Sequence, residues 1–119
     1  MRTTVLIVDD HPGFRSCLRT LLEADGFAVV AEAGDGAEGL RMARRHAPEV
    51  VIVDVGLPDI SGFDVARALA GERAGPCVVL VSSRDAVDYG GLVAESGACG
   101  FMPKSEITGD AIERMMSRR

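Results

Sequence analysis

A chain of 119 residues with a formal net charge of −5 suits one compact domain, 1–119, and its 4% aromatic content requires an aliphatic core. A composition of 47% hydrophobic and 26% charged residues excludes a disordered chain, and the acidic balance argues against a nucleic-acid surface, which would reward clustered Lys and Arg. No apolar run approaches the roughly 20 residues that span a bilayer, and no signal-peptide pattern precedes the first strand, so the expectation is a cytoplasmic protein without membrane contact.

The first element is a β-branched run, Thr3–Val8, read as a buried strand. From Pro12 to Asp25 apolar residues fall at helical spacing, with Phe14, Cys17, Leu18, Leu21 and Leu22 on one face; Pro12 suits the first turn and Gly26 the stop. A strand at Phe27–Ala31 and a Gly-rich turn lead to a helix over Ala37–His46, which Pro48 ends. Val50–Val55 is the most hydrophobic strand, and a loop with Gly56, Pro58 and Gly62 leads to a helix near Phe63–Ala70. Cys77–Val81 is a further apolar strand, followed by a weaker helix around Ala86–Ser96. Within it Asp88–Gly91 (DYGG) carries adjacent glycines that cost about 2 kcal/mol against alanines, which predicts a frayed or mobile helix. Cys99–Met102 is the last strand, and a helix from Glu106 to Ser117 closes the domain.

Strands apolar on both faces, alternating with amphipathic helices, define an α/β fold. It is a doubly wound five-stranded parallel sheet with five helices. Right-handed crossovers then place ligands at the carboxyl ends of the strands. The three cysteines, Cys17, Cys77 and Cys99, fit neither a disulfide framework nor a zinc site and read as reduced, buried thiols.

Polar residues collect at those strand ends. Asp9 and Asp10 close the first strand, Asp54 the third, Ser82 and Ser83 the fourth, and Lys104 follows the fifth. Three packed acids repel and raise one another's pKa, a poor device for stability but a good one for a hard divalent ion such as Mg²⁺. With the ion bound, Asp54 can attack phosphorus as a carboxylate nucleophile, while Lys104 and Ser82 hold the phosphoryl oxygens.

The acidic pair Asp9–Asp10 after VLIV, Asp54 after VVIV, Pro58, Gly62, Ser82 after VVLV, Gly97-Ala98, Phe101 and Lys104 resemble, in order, the CheY-like receiver family of response regulators. The DDHP stretch at Asp9–Pro12 and GACGFMPKS at Gly97–Ser105 are similar to its NarL/FixJ branch. The resemblance implies the flavodoxin-like strand order 2-1-3-4-5 and Asp54 as phosphoacceptor. It also implies Mg²⁺ held by Asp10 and Asp54, by Asp9 through water and by the Gly56 backbone carbonyl, with a switch at Ser82 and Phe101. It implies a sensor histidine kinase or phosphotransfer protein as donor, with small phosphodonors as substitutes. The output face would be the fourth helix, fifth strand and fifth helix, with a homodimer through that face or through the first and fifth helices. DNA would be bound by a C-terminal helix-turn-helix domain absent from this chain, the chain being an excised receiver rather than a stand-alone phosphorelay protein. Two departures stand out. Gly56 lacks the longer side chain common at its position, which leaves attacking water unobstructed. Ser105, not proline, follows Lys104, so a cis bond there would cost ~2.5–4 kcal/mol.

Each residue taken singly has a plainer reading: Asp10 as a helix cap, Asp54 and Ser82–Ser83 as turn residues, Lys104 as a solvated side chain, His11 as a surface residue, and His46 as a helix-end residue whose imidazolium meets the dipole. Arg41, Arg44 and Arg45 read as a solvated helix face. Gly34-Asp35-Gly36-Ala37-Glu38-Gly39 is a literal GxGxxG with Asp54 twenty residues after Gly34. Against a dinucleotide site, Asp35 would face the pyrophosphate and Asp9, Asp10 and Lys104 would go unused. A haloacid-dehalogenase-type phosphatase wants a second Asp where Gly56 stands, and a cap segment to enclose its substrate.

Overall fold

The computed structural model describes residues 1–84 and 86–118. Strands β1 (Thr4–Val8), β2 (Ala28–Ala33), β3 (Val50–Asp54), β4 (Cys77–Ser82) and β5 (Gly100–Pro103) form one parallel sheet in the order β2-β1-β3-β4-β5. The helices are α1 (Pro12–Ala24), α2 (Gly36–His46), α3 (Gly62–Ala70), α4 (Leu92–Glu95) and α5 (Gly109–Ser117). This is the doubly wound arrangement expected from the alternation of elements.

The two-residue period of a strand explains how one sheet carries two cores. Val5, Ile7, Val50, Ile52, Val79 and Val81 face one side and pack with Leu18 and Leu22 of α1 and Ile112 of α5. Leu6, Val8, Val51, Val53 and Leu80 face the other, against Phe63, Val65 and Leu69 of α3 and Ala43 of α2. Each such aliphatic side chain taken fully from water contributes about 1.5–3 kcal/mol, which fixes the strand register. Register Val5↔Val50 and Val50↔Cys77 brings Val8, Asp54 and Ser82 to one edge.

Helix boundaries follow local chemistry. Asp35 caps α2 by accepting from Glu38 N at 2.8 Å, and α2 stops at Ala47 in the left-handed region before Pro48. Ser61 and Asp64 form a reciprocal capping box on α3. The last helix begins at Gly109 rather than near Glu106, because Thr108 accepts from Ala111 N at 3.1 Å and Ile107 is extended. Residues Lys104–Glu106 form a separate 3₁₀ turn instead. The fourth helix is broken as the paired glycines require. Ala86–Tyr89 is a 3₁₀ turn, Gly90 takes φ 57°, and only Leu92–Glu95 is α-helical.

Two expectations about apolar residues are corrected. In α1, Phe14, Leu18 and Leu22 form the packed stripe, whereas Cys17 and Leu21 are exposed. At about 100° per residue Cys17 lies well round the helix from Leu18, beyond the edge of the core-facing stripe. Hence the thiols are not uniformly buried: Cys77 is buried, Cys99 partly so and Cys17 exposed.

Candidate functional site

Parallel β1, β3 and β4 end together, and the residue just past each apolar run is polar. Asp9 is wholly buried, Asp54 6% exposed and Ser82 4% exposed, so three polar groups stand at the mouth of an aliphatic core. Such burial needs compensation. For Asp9 it comes from the His11 backbone N–H at 2.8 Å and from Lys104, whose Nζ lies 2.7 Å from Asp9 Oδ2. Among the described residues that oxygen has no directed hydrogen bond, only the ammonium beside it. Lys104 Nζ also lies 3.5 Å from Asp54 Oδ2 and 4.4 Å from the centre of the Phe14 ring, a cation–π contact that helps to hold the ammonium in place. The Asp9 backbone carbonyl accepts from Arg15, whose Nε pairs with Glu32 at 3.1 Å, tying the end of β1 to α1 and β2.

Burial raises the Asp54 carboxyl above its ordinary range; Lys104 draws it back, Asp9 pushes it further up, and the Gly56 N–H bonded to it favours the ionised form. Asp9, Asp10, His11 and Asp54 each present one ligand atom, all within 4.8 Å of one another. Three carboxylates and a buried carboxylate oxygen without a hydrogen bond match the donor set of a hard divalent cation, so the residues fit Mg²⁺. Gly56 is exposed beside them, and a methyl group added at its Cα would meet nothing within 4 Å. Asp54, Gly56, Ser82, Arg84, Tyr89 and Lys104 line a cleft of about 390 Å³. A larger cleft, about 480 Å³, opens at the opposite, amino-terminal edge of the sheet, where Glu72 is paired with Arg44 at 2.9 Å. It has no comparable cluster of acids and an amine.

The plainer readings fare unequally. Asp10 does not cap α1; His11 holds that position, without a side-chain cap bond. His11 is exposed, yet its Nδ1 lies 3.0 Å from Asp10 Oδ1 and 3.1 Å from Asp9 Oδ1, so it belongs to the cluster. Phe101 is half-buried. Arg44 pairs with Glu72 on the surface.

Two side-chain contacts were not legible in the sequence. Tyr89, within the helix-breaking DYGG, places its hydroxyl 2.6 Å from Ser82 Oγ and its ring 5.8 Å from Phe101. Asp59 accepts from Gly36 N at 2.8 Å and Ala37 N at 2.9 Å, so an internal carboxylate fills the start of α2 where a dinucleotide phosphate would sit. Those bonds bring Asp59 down to a pKa of about 2. The glycines of GxGxxG serve packing: a Cβ on Gly36 would lie 2.3 Å from Ile60 Cγ1, and one on Gly39 2.9 Å from Val8.

A doubly wound sheet of order 2-1-3-4-5 with an acid–lysine cluster at its carboxyl edge defines a CheY-like, flavodoxin-fold domain. Residues 5–116 match the family model described as the response regulator receiver domain, and the chain belongs to that family. It is 38% identical over 119 aligned residues to the transcriptional regulatory protein PdtaR of Mycobacterium tuberculosis, covering 96% of this chain and 57% of that one. A signal receiver domain of the M. tuberculosis response regulator NarL superposes with TM-score 0.88 at 31% identity, covering 99% and 98% of the two chains. A LuxR-family two-component response regulator from Aurantimonas sp. SI85-9A1 gives TM-score 0.89 at 29% identity, covering 100% and 88%. The chain spans about half the length of the curated relatives it matches. As a receiver it is a signalling domain and not a conventional enzyme. No helix among the described residues is long and apolar enough to cross a membrane.

Proposed function

We propose that this receiver accepts a phosphoryl group on Asp54 in a Mg²⁺-dependent reaction and relays its occupancy to an output. The observation that carries the reading is the convergence of Asp9, Asp10, Asp54 and Lys104 at one rim, with Asp54 at the carboxyl end of the central strand.

Asp9, Asp10, Asp54 and the Gly56 carbonyl would hold Mg²⁺, which when bound supplies charge neutralisation for the phosphoryl oxygens. Asp54 contributes the nucleophilic oxygen. A new O–P bond forms as the donor's P–N bond (phosphohistidine) or P–O bond (acetyl phosphate) breaks, and the leaving group keeps the electron pair. Burial keeps Asp54 poorly solvated and so more basic once ionised, while Lys104 holds it charged. Lys104 is also placed to meet an oxygen of the incoming group, and Ser82 lines the same cleft. The open space at Gly56 favours hydrolysis of the acyl phosphate and a self-limited signal.

The donor is a sensor histidine kinase or a phosphotransfer protein. The output is transcriptional, through a DNA-binding domain beyond these residues, in keeping with the regulators it resembles, and the setting is cytoplasmic. Occupancy would be read through Ser82, Phe101 and the face formed by α4, β5 and α5, with a homodimer through that face or through α1 and α5. The test is intact-mass measurement after acetyl phosphate and Mg²⁺. The wild type should gain one phosphoryl mass, while Asp54→Asn should not; an equal gain in Asp54→Asn would overturn the reading.

A further inference from the structure

Among the described residues Ser82 Oγ has two partners. The Arg84 backbone N–H donates to it at 3.0 Å, and the Tyr89 hydroxyl lies 2.6 Å away. A serine hydroxyl offers two lone pairs and one proton. Arg84 can only donate, so it takes one lone pair. Of the two hydroxyls, the phenol is the more acidic and the better donor, and a 2.6 Å separation suits a strong O–H···O bond. With Tyr89 donating, both lone pairs of Ser82 are filled and its proton is all that it can still offer. A phosphoryl oxygen is an acceptor, the one kind of group that this proton suits.

We propose that Tyr89 is a positioning residue which holds the Ser82 hydroxyl as a hydrogen-bond donor toward a phosphoryl group on Asp54. The proposal rests on the receiver reading of the site. The fold supports it at three points. The 3₁₀ turn Ala86–Tyr89 returns the chain so that residue 89 reaches residue 82. Gly90 in the left-handed region turns the backbone away directly afterwards. The Tyr89 ring is held edge-on to Phe63 at 5.4 Å and tilted to Phe101 at 5.8 Å, so the hydroxyl is aimed by packing. The broken fourth helix thus delivers an aromatic hydroxyl to the cleft.

The chain holds one tyrosine and no tryptophan, so a single fluorotyrosine resonance reports on this contact. Tyr89→Phe keeps the ring and its neighbours but removes the donor. Binding of beryllofluoride with Mg²⁺, followed by calorimetry, should weaken by roughly 3- to 10-fold in Tyr89→Phe, the scale of one lost hydrogen bond. Ser82→Ala should weaken it at least as much, and the double variant no more than Ser82→Ala alone, because Tyr89 acts through that hydroxyl. In fluorotyrosine-labelled protein the ¹⁹F resonance should move on beryllofluoride binding and should be displaced without any ligand in Ser82→Ala. Unchanged or tighter binding in Tyr89→Phe, or losses that add in the double variant, would overturn the proposal. Wild-type protein that takes neither beryllofluoride nor a phosphoryl group would instead sink the phosphoacceptor reading of Asp54, and the proposal with it.

Discussion

Lys104 pairs more closely with Asp9 than with Asp54: its Nζ lies 2.7 Å from Asp9 Oδ2 and 3.5 Å from Asp54 Oδ2. Asp9 is wholly buried, and among the described residues its Oδ2 has no other compensation. The lysine therefore serves a structural purpose, making a buried carboxylate tolerable, besides any contact with a phosphoryl oxygen.

It follows that Lys104→Met leaves an uncompensated buried charge. Breaking a fully buried pair on one side costs ~3–5 kcal/mol, and because Lys104 is itself 20% exposed we expect less than that, about 2–3 kcal/mol. The same change removes a cation from beside the metal ligands, so Mg²⁺ should bind several-fold more tightly and recover most of the lost stability. Thermal melts with EDTA and with Mg²⁺ check both halves. A variant equally destabilised in the two conditions would show that Lys104 does not share the metal's carboxylates.

Asp54 makes a prediction whose sign is set by its environment. Burial lifts its carboxyl above 3.8 against the opposing pull of Lys104. A native pKa above the unfolded one means that ionisation works against folding. The cost is absent below the unfolded value, grows between the two, and is complete above the native value. Asp54→Asn should therefore raise Tm at pH 7 in EDTA, and the gain should close as pH falls to about 4 and below. A gain that persists at pH 3 would assign it to something other than charge.

The strand ends carried most of the site in the sequence because a continuous apolar run stops where the sheet stops. The acids after VLIV and VVIV and the lysine after FMP could be placed on one edge from periodicity alone. Tyr89 could not be found in this way. Its partner is seven residues back across a 3₁₀ turn, and the local pattern records only the glycines that break the helix. Asp59 escaped for a related reason: it bonds α2 across 23 positions from a loop that shows no periodicity. The exposure of Cys17 was hidden because helical spacing marks a stripe but not where its edge falls.

Asp59 gives the opposite pH behaviour. Backbone N–H groups of Gly36 and Ala37 bring it to about 2, from a model-peptide value of 3.8. Stability from a depressed carboxyl is present above the unfolded value and is lost as pH falls through the native one. Asp59→Asn should lower Tm at neutral pH, and the difference from wild type should vanish between about pH 4 and pH 2. A difference independent of pH would mean that the amide fails for reasons of shape. In that case the start of α2 would not be an anion seat.

Gly62 tests whether the loop after β3 holds Asp54 in place. A Cβ there would lie 2.3 Å from the Asp54 carbonyl oxygen and 2.9 Å from Val55 Cα, both backbone atoms that no rotamer change can clear. The Gly62 N–H also donates to Val55 O at 2.9 Å, so the two segments cannot part without losing that bond. Gly62→Ala should therefore cost about 2–3 kcal/mol and slow phosphorylation, since the backbone displaced is that of the proposed nucleophile. Gly56→Ala is the matched control: a methyl there meets nothing within 4 Å, so stability should stay within about 0.5 kcal/mol of wild type. Denaturant melts with acetyl phosphate kinetics on both variants read the contrast, and equal effects from the two would refute a specific role for the Gly62 contact. Should Gly56→Ala also lengthen the life of the acyl phosphate, the open space at Gly56 would be confirmed as the path by which water arrives.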